Sequence, residues 1–262
     1  MKYNKEIIKE HLGSYKIKEL GIEENGIWAK NKKEYKHIIP ANQKEKNLIG
    51  KIYHKNLIDF AMNGEKTLHP GFHHMNSSQA LAFNLFVPLI VEDRIDIVLD
   101  LLGIHDKVEN TEFEYIEDYS EQTNFDFFIK GNRLNIFFEV KYTEDNFGST
   151  TSDKSHRKKF KDIYDKPLKE ITELEENDFY KKYQLWRNII YTTKGVVVFV
   201  FPKFRKDLTL EVKNAIKKLK NPDRVKILFI EDILRKIKET NNHSLIEHFN
   251  EFNNKYLNIN GI

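Results

Sequence analysis

The run VVVFVF at Val196–Phe201 constrains the fold of this 262-residue chain more than any other segment. Six consecutive β-branched or aromatic residues leave no polar face, which is typical of a strand covered on both sides of its sheet. Val225–Ile230 is predicted to be another buried strand, and helical spacing over 207–219 separates the two runs. The alternation of buried strand, helix and buried strand predicts an α/β fold, in which helices flank a mixed central sheet.

Two earlier strands are predicted to form a hairpin. The runs 125–129 and 134–142 flank Gly131-Asn132, a dipeptide suited to a two-residue turn. That turn places Phe128 opposite Asn135. Because side chains alternate along a strand, one face of the hairpin is entirely apolar, and it carries Phe125, Phe127, Ile129, Leu134, Ile136, Phe138 and Val140.

The opposite face gathers the charged residues of the hairpin, Asp126, Glu139 and Lys141. In this register Asp126 and Glu139 are diagonal neighbours, about 7–8 Å apart between Cα atoms. That spacing suits two carboxylates holding one Mg²⁺ ion, which prefers oxygen ligands and usually takes one or two carboxylates together with water and phosphate. The alternative interpretation is a surface ion pair between Glu139 and Lys141, with Asp126 merely nearby.

Asp126, twelve intervening residues and Glu139-Val140-Lys141 resemble the signature of the PD-(D/E)XK nuclease superfamily, whose members share the restriction-endonuclease-like fold. Phe125 stands where the superfamily usually has Pro. Strings within residues 69–200 resemble bacterial proteins classed as restriction endonucleases, namely HHMNSSQALAFNLF (73–86), TNFDFFI (123–129), FFEVKYTE (137–144) and YQLWRN (183–188). The first 60 residues and the C-terminal helices lie outside this resemblance.

The resemblance implies roles for the residues of the motif. In the superfamily the Asp and the acid of E-x-K bind Mg²⁺, and the carbonyl of the intervening residue sometimes assists. The Lys positions or activates the attacking water. By this resemblance Asp126, Glu139 and Val140 are metal ligands and Lys141 is catalytic, with Mn²⁺ as a substitute for Mg²⁺.

Two further residues are assigned by the same resemblance. Superfamily members often add an earlier carboxylate as a metal ligand, for which Glu114 is the candidate and Glu92 and Glu112 are the alternatives. A Gln on the helix after the motif also recurs near such sites, and Gln184 fits, although it could equally be a surface residue of its helix. Arg187, Asn188 and Tyr191 follow Gln184 by three, four and seven positions, which places them on the same helical face.

Basic residues are concentrated at 30–37, 154–161 and 203–206, although the formal net charge is only +3. The run at 154–161 follows the predicted metal-binding strand and is expected to be a flexible loop that contacts phosphates. A solvated loop is the alternative. The candidate nucleic-acid contacts in this loop are Lys154, His156, Arg157, Lys158 and Lys159.

Helix signals predict elements around the hairpin. Asn76 or Ser77 is a candidate N-cap for a helix that Pro88 limits. A second helix is predicted over 95–102, ending at Gly103, and a third over 179–191. The polar segment 1–70 is predicted as a peripheral helical or irregular extension, and 71–262 as the nuclease domain.

The chain has no cysteine, which excludes disulfides and thiolate catalysis and favours a reducing cytoplasm. No apolar stretch approaches the roughly 18 residues of a membrane span. The expected function is Mg²⁺-dependent cleavage of DNA, with RNA a less expected substrate and homodimerisation left open. Two alternatives are a catalytically inactive nucleic-acid-binding module on the same fold and a hydrolase of another phosphate-containing substrate.

Overall fold

The structure is a computed structural model that describes residues 4–62 and 68–261. It divides into two compact units, one formed by Met1–Ile104 with Phe229–Ile262 and the other by His105–Leu228. This division does not coincide with the predicted boundary at residue 70, and the split into 1–70 and 71–262 stays a prediction. None of the helices in the described ranges combines the length and apolarity that crossing a membrane requires.

The elements follow one another from an N-terminal helix to a C-terminal helix. The helices are α1 (Lys5–Leu20), α2 (His54–Met62), α3 (Ser78–Val91), α4 (Asp96–Leu102), α5 (Lys154–Lys159), α6 (Asp165–Ile171), α7 (Glu176–Lys181), α8 (Tyr183–Ile189), α9 (Lys206–Ile216), α10 (Ile230–Lys238) and α11 (His243–Tyr256). The strands are β1 (Gly26–Trp28), β2 (Lys33–Tyr35), β3 (Val108–Ile116), β4 (Asn124–Gly131), β5 (Asn135–Val140), β6 (Gly195–Phe201) and β7 (Val225–Phe229).

The second unit is built on a five-stranded sheet of order β3-β4-β5-β6-β7. Strands β3, β4 and β5 are antiparallel, whereas β5 and β6 are parallel, so the sheet is mixed. Every residue of β6 is buried, as its apolar run predicts. The predicted α/β fold with a mixed sheet flanked by helices is confirmed, and it is compatible with the restriction-endonuclease-like fold. Strand β7 is only partly buried because it lies at the edge of the sheet, so the prediction that it is covered on both faces is wrong.

The register of the β4–β5 hairpin differs from the predicted one by two positions. Phe128 is opposite Phe137 because the turn is displaced by one residue along the chain: the N–H of Gly131 donates to the carbonyl of Leu134 at 3.1 Å, and Asn132 and Arg133 are the two residues between them. The carboxylate of Asp106 stabilises this turn by accepting hydrogen bonds from the N–H groups of Arg133 (2.9 Å) and Leu134 (3.0 Å). A shift of two positions keeps each residue on its face but changes which residues are opposite.

Phe125 does not share the face that strict alternation assigns to it. Its ring centroid lies 5.0 Å from that of Phe137, and both rings pack on Tyr191, at 5.0 and 5.5 Å. On the neighbouring strand β3, the left-handed φ of 51° at Glu114 interrupts the regular strand geometry between the pairs Phe113↔Phe127 and Tyr115↔Phe125. The prediction that Phe125 belongs to the face of Phe127 is therefore wrong.

The helix predictions are confirmed in part. Helix α3 begins after Ser77, whose side chain accepts a hydrogen bond from the N–H of Ala80 at 3.3 Å. It continues past Pro88 to Val91, because the segment is buried on all sides and this burial offsets the N–H donor that proline lacks. Helix α4 ends at Gly103, whose φ of 64° is left-handed, as predicted.

Two segments differ in kind from their predictions. The predicted helix over 179–191 is interrupted at Lys182, whose φ of −133° and ψ of 53° separate α7 from α8. The N-terminal segment, predicted as helical or irregular, also contains the antiparallel hairpin formed by β1 and β2.

Candidate active site

Three carboxylate residues occupy matching positions on three adjacent strands. The pairs on either side of Glu114 in the β3–β4 ladder place it across from Asp126. Beyond the last pair of the β4–β5 ladder, Phe127↔Phe138, Asp126 is close enough to β5 for its Oδ2 to accept a hydrogen bond from the N–H of Val140, and it interacts electrostatically with Glu139. Asp126 is thus flanked on both sides, instead of having Glu139 as the diagonal neighbour that the predicted register gave.

The environment of Asp126 disfavours its negative charge. Burial raises the pKa of this carboxyl well above its ordinary value, and the charges of Glu139 and Glu114 raise it further. The hydrogen bond that Val140 N–H donates to Asp126 Oδ2, at 2.7 Å, and the charge of Lys141 act in the opposite direction and do not outweigh these effects. A group of like charges held this closely is a setting in which a cation is favourable.

Glu114 has an unusual backbone conformation. Its φ of 51° lies in the left-handed region, which is uncommon for any residue other than glycine and costs free energy. Its Oε2 accepts a hydrogen bond from Asn124 Nδ2 at 2.5 Å. Backbone strain of this kind is often found at functional sites.

The two alternative carboxylates have other partners. Glu92, which lies in the first unit, accepts hydrogen bonds from the hydroxyl of Tyr53 (2.7 Å) and from Asn242 Nδ2 (2.6 Å). Glu112 is across from Phe128 and accepts a hydrogen bond from Asn110 Nδ2 at 3.2 Å. Among the three candidates, Glu114 is the one that the sheet brings next to Asp126.

Glu139, Lys141 and Gln184 form a closed set of polar contacts. Lys141 Nζ lies 3.0 Å from Glu139 Oε1 and donates to Gln184 Oε1 at 2.8 Å. Gln184 Nε2 donates to Glu139 Oε1 at 2.7 Å. Glu139 and Lys141 are only 4% and 6% exposed, so they do not form the surface ion pair of the alternative interpretation.

The ammonium of Lys141 is held in its charged form. Burial alone would lower the pKa of Lys141, but the carboxylates of Glu139 and Glu144 outweigh burial and raise it. Glu144 is itself fixed, because its Oε2 accepts a hydrogen bond from the N–H of Tyr142 at 2.7 Å. Sequence reasoning missed Glu144, which follows the E-x-K motif by three positions.

The loop after β5 anchors the helix that carries Gln184. The first two N–H groups of α8, those of Tyr183 and Gln184, donate to the carbonyls of Gly148 and Phe147, both at 3.0 Å. The ring of Phe147 also lies 5.8 Å from Lys141 Nζ. One short loop therefore contacts the lysine and fixes the start of the helix that supplies its partner.

Arg187 of α8 and Tyr191, which lies two residues beyond the end of that helix, contact a buried acid that sequence reasoning missed. Glu121 is 1% exposed and accepts hydrogen bonds from Arg187 Nε (2.8 Å), from the hydroxyls of Tyr191 (3.1 Å) and Tyr164, and from the N–H of Thr123 (2.6 Å). Burial alone would raise the pKa of Glu121, but these hydrogen bonds and the charge of Arg187 outweigh it and lower the pKa.

The residues predicted to share one helical face therefore contact two different groups. Gln184 contacts the Glu139–Lys141 pair, whereas Arg187 and Tyr191 contact Glu121. Asn188 is buried, and its Nδ2 has no hydrogen-bond partner among the described residues. A sequence signal for Glu121 is lacking, because its partners are distant in the chain.

The basic run is helix α5 and not the predicted flexible loop. The N-cap Asp153 begins this helix by accepting a hydrogen bond from the N–H of His156. The ring of His156 lies between Asp153 and Thr150, at 2.9 and 2.8 Å, and Lys159 Nζ donates to the carbonyl of Glu121 at 2.9 Å. The exposed basic residues of α5 are Lys154, Arg157 and Lys158.

The carboxylate oxygens of Asp126 and Glu139 are ligands of the kind and number that Mg²⁺ usually takes from a protein. Oδ1 of Asp126 and Oε2 of Glu139 receive no hydrogen bond from the described residues, so both remain open to a ligand. No group of three or more His, Asp or Glu side chains in the described ranges is arranged to hold a metal ion by itself. Mg²⁺ does not require such a group, since it usually combines one or two carboxylates with water and phosphate oxygens.

The mixed sheet flanked by helices is compatible with the restriction-endonuclease-like fold. The chain belongs to the family described as Restriction Endonuclease associating with ARP, whose model matches residues 9–257. Family membership supports a nuclease-related role, and the match extends on both sides of the 69–200 region of the sequence resemblance. No curated protein and no solved structure matches the chain.

Proposed function

We propose that the protein is a PD-(D/E)XK nuclease that hydrolyses phosphodiester bonds of DNA with Mg²⁺, for which Mn²⁺ can substitute. The observation that carries this proposal is the alignment of Glu114, Asp126 and Glu139 across three strands, next to a buried Lys141. A charged lysine and adjacent carboxylates in one site match the needs of metal-assisted hydrolysis.

Each residue has a role in this proposal. Asp126 and Glu139 hold the ion through carboxylate oxygens, with the carbonyl of Val140 as a further ligand and Glu114 as the additional acid. When bound, Mg²⁺ acidifies a coordinated water and neutralises charge that develops on the phosphate oxygens. Lys141 orients the attacking water through Nζ, and Gln184 fixes Lys141 relative to Glu139.

Helix α5 supplies contacts to the DNA backbone in this proposal. Lys154, Arg157 and Lys158 are exposed and positively charged, whereas Lys159 and His156 are bound within the protein and have a mainly structural role. DNA is favoured over RNA because the family is one of restriction endonucleases. A cytoplasmic location completes the proposal.

The test is cleavage of supercoiled plasmid, linear duplex and single-stranded DNA, each with Mg²⁺, with Mn²⁺ and with EDTA. We expect metal-dependent nicking by the wild type and loss of nicking in Glu139→Gln. Glu109→Gln is the matched control, because Glu109 forms an exposed ion pair with Lys130 on the same sheet. DNA binding without cleavage by the wild type would instead support the inactive binding module.

A further inference from the structure

The β1–β2 hairpin of the first unit is a well-defined ribbon, here called the basic ribbon and comprising residues 26–36. Strand β1 pairs with β2 from Gly26↔Tyr35 to Trp28↔Lys33. The carbonyl of Trp28 accepts hydrogen bonds from the N–H groups of Asn31 (3.3 Å) and Lys32 (2.8 Å), and Lys32 adopts a φ of 60°. These bonds fix the connecting turn.

The basic ribbon exposes apolar side chains on both faces. Ile27 is 53% exposed and Trp28 is 39% exposed. Because neighbouring residues on a strand point to opposite faces, both faces of the ribbon are open to solvent. The indole of Trp28 nevertheless has a defined position, since its ring lies edge-on to Tyr35 at 5.9 Å and to His74 at 6.4 Å.

Lysines surround these apolar side chains. Lys30, Lys32, Lys33 and Lys36 are exposed, and none forms an ion pair within the part of the chain that the structure describes. Glu34 is the single acid in residues 26–36. The ribbon therefore combines an exposed, positioned aromatic ring with a concentration of uncompensated positive charge.

We propose that the basic ribbon enters a groove of duplex DNA, where its lysines contact phosphates and Trp28 and Ile27 contact sugars or base edges. A groove of B-DNA admits a two-stranded ribbon, and apolar side chains can wedge against base steps. Charge complementarity selects a polyanion over an apolar protein surface as the occupant. The inference rests on the proposed function for its choice of duplex DNA.

Tryptophan fluorescence tests this proposal directly. The chain has two tryptophans, and Trp186 is only 2% exposed, so Trp28 is the accessible reporter. In EDTA, which prevents metal-dependent cleavage, a saturating labelled duplex should change the emission of the wild type and not that of Trp28→Phe. Saturation is established from the anisotropy of the labelled duplex. Absence of binding, unchanged emission at saturation, or a change with single-stranded DNA alone would overturn the proposal.

Charge removal provides a second, independent measurement. The triple variant Lys30→Ala, Lys32→Ala and Lys33→Ala should bind duplex DNA more weakly than the wild type. The slope of log K for DNA binding against log salt concentration should become less steep by about 0.9 for each lost phosphate contact. The matched control replaces the three exposed lysines Lys44, Lys46 and Lys238 of the same unit. Equal affinities and salt slopes for the two triple variants would contradict the proposal.

These readouts separate the ribbon from the nuclease site. If DNA changes the emission of Trp28 but the protein cleaves no DNA, the ribbon contact is supported and the proposed nuclease function is contradicted. Metal-dependent cleavage without a change in Trp28 emission would support the nuclease function and contradict the ribbon contact.

Discussion

Gln184 Nε2 donates a 2.7 Å hydrogen bond to Glu139 Oε1, although the two residues lie 45 positions apart in the sequence. The other end of the same amide accepts a hydrogen bond from Lys141 Nζ. One side chain therefore fixes the distance between the proposed metal ligand and the proposed catalytic lysine. An amide suits this position because it provides a donor and an acceptor at once.

Gln184→Ala should reduce cleavage without abolishing it. The change removes both hydrogen bonds while Glu139 and Lys141 remain, and loss of such supporting contacts typically costs about 10–100-fold in metal affinity or activity. The measurement is the initial rate of plasmid nicking as a function of Mg²⁺ concentration. Gln43→Ala, in the other unit, serves as the control. A variant that matches the wild type at every Mg²⁺ concentration would remove Gln184 from the site.

Asp126→Asn should stabilise the metal-free protein and prevent Mg²⁺ from stabilising it. The substitution removes the central charge of three adjacent acids and leaves an oxygen that can accept from Val140 N–H. We expect the free energy of unfolding in EDTA to increase, because burial and the charges of Glu139 and Glu114 disfavour the charge that the substitution removes. At 100 times its dissociation constant, Mg²⁺ should stabilise the wild type by about 2.7 kcal/mol.

Thermal unfolding with and without Mg²⁺ measures both effects of Asp126→Asn. Asp100→Asn, at an exposed position of α4, is the matched control and should respond to Mg²⁺ as the wild type does. An equal Mg²⁺ response in Asp126→Asn would show that Asp126 is not a ligand.

Local pattern was sufficient for some features of the sheet. The continuous apolar run fixed β6 as a fully buried strand, and alternation placed Asp126, Glu139 and Lys141 near one another. The predicted register was wrong because the turn is formed by Asn132 and Arg133 instead of Gly131 and Asn132, and Asp106, about 28 positions away in the sequence, binds the N–H groups of Arg133 and Leu134. No local rule anticipates a side chain that arrives from so far along the chain.

The buried contacts that support the site could also not be predicted from local sequence pattern. Glu121 lies in a loop rich in acids, and its partners Tyr164, Arg187 and Tyr191 are 43, 66 and 70 positions away. In the sequence it is one acid among many. Its importance comes from burial, which depends on the assembled fold.

Glu121→Gln should destabilise the protein strongly. Removal of one partner from a buried ion pair leaves the charge of Arg187 without compensation, which costs about 3 kcal/mol or more. Urea unfolding provides the measurement, and the double variant Glu121→Gln with Arg187→Met should recover part of the loss. Glu117→Gln is the control, because its pair with Lys194 is more exposed and should cost about 1 kcal/mol or less. Similar losses for Glu121→Gln and Glu117→Gln would contradict the buried-pair interpretation.

Lys255 should make stability rise with pH. Burial lowers its pKa to about 7, while its Nζ donates to the carbonyl and side-chain oxygens of Asn47. Between pH 7 and the ordinary lysine pKa, the unfolded chain binds a proton that the folded protein does not. The free energy of unfolding therefore increases with pH, by up to about 1.4 kcal/mol per pH unit.

Urea unfolding at pH 7, 8 and 9 measures this slope in the wild type and in Lys255→Met. The variant should lack the contribution of Lys255, whereas Lys238→Met, at an exposed position of the same unit, should retain it. The same slope in all three proteins would show that Lys255 keeps an ordinary pKa.

The most direct test of the nuclease site is the rate of plasmid nicking by Lys141→Met at saturating Mg²⁺, with binding of a labelled duplex measured in EDTA. Removal of one positioned donor that stabilises charge at a reacting centre typically costs about 10²–10³-fold, so the variant should cleave at least about 100-fold more slowly than the wild type and bind the duplex equally well. Lys226→Met, on the edge strand β7, should cleave normally. Nicking by Lys141→Met within twofold of the wild-type rate would contradict the assignment of Lys141 and the active site built around it.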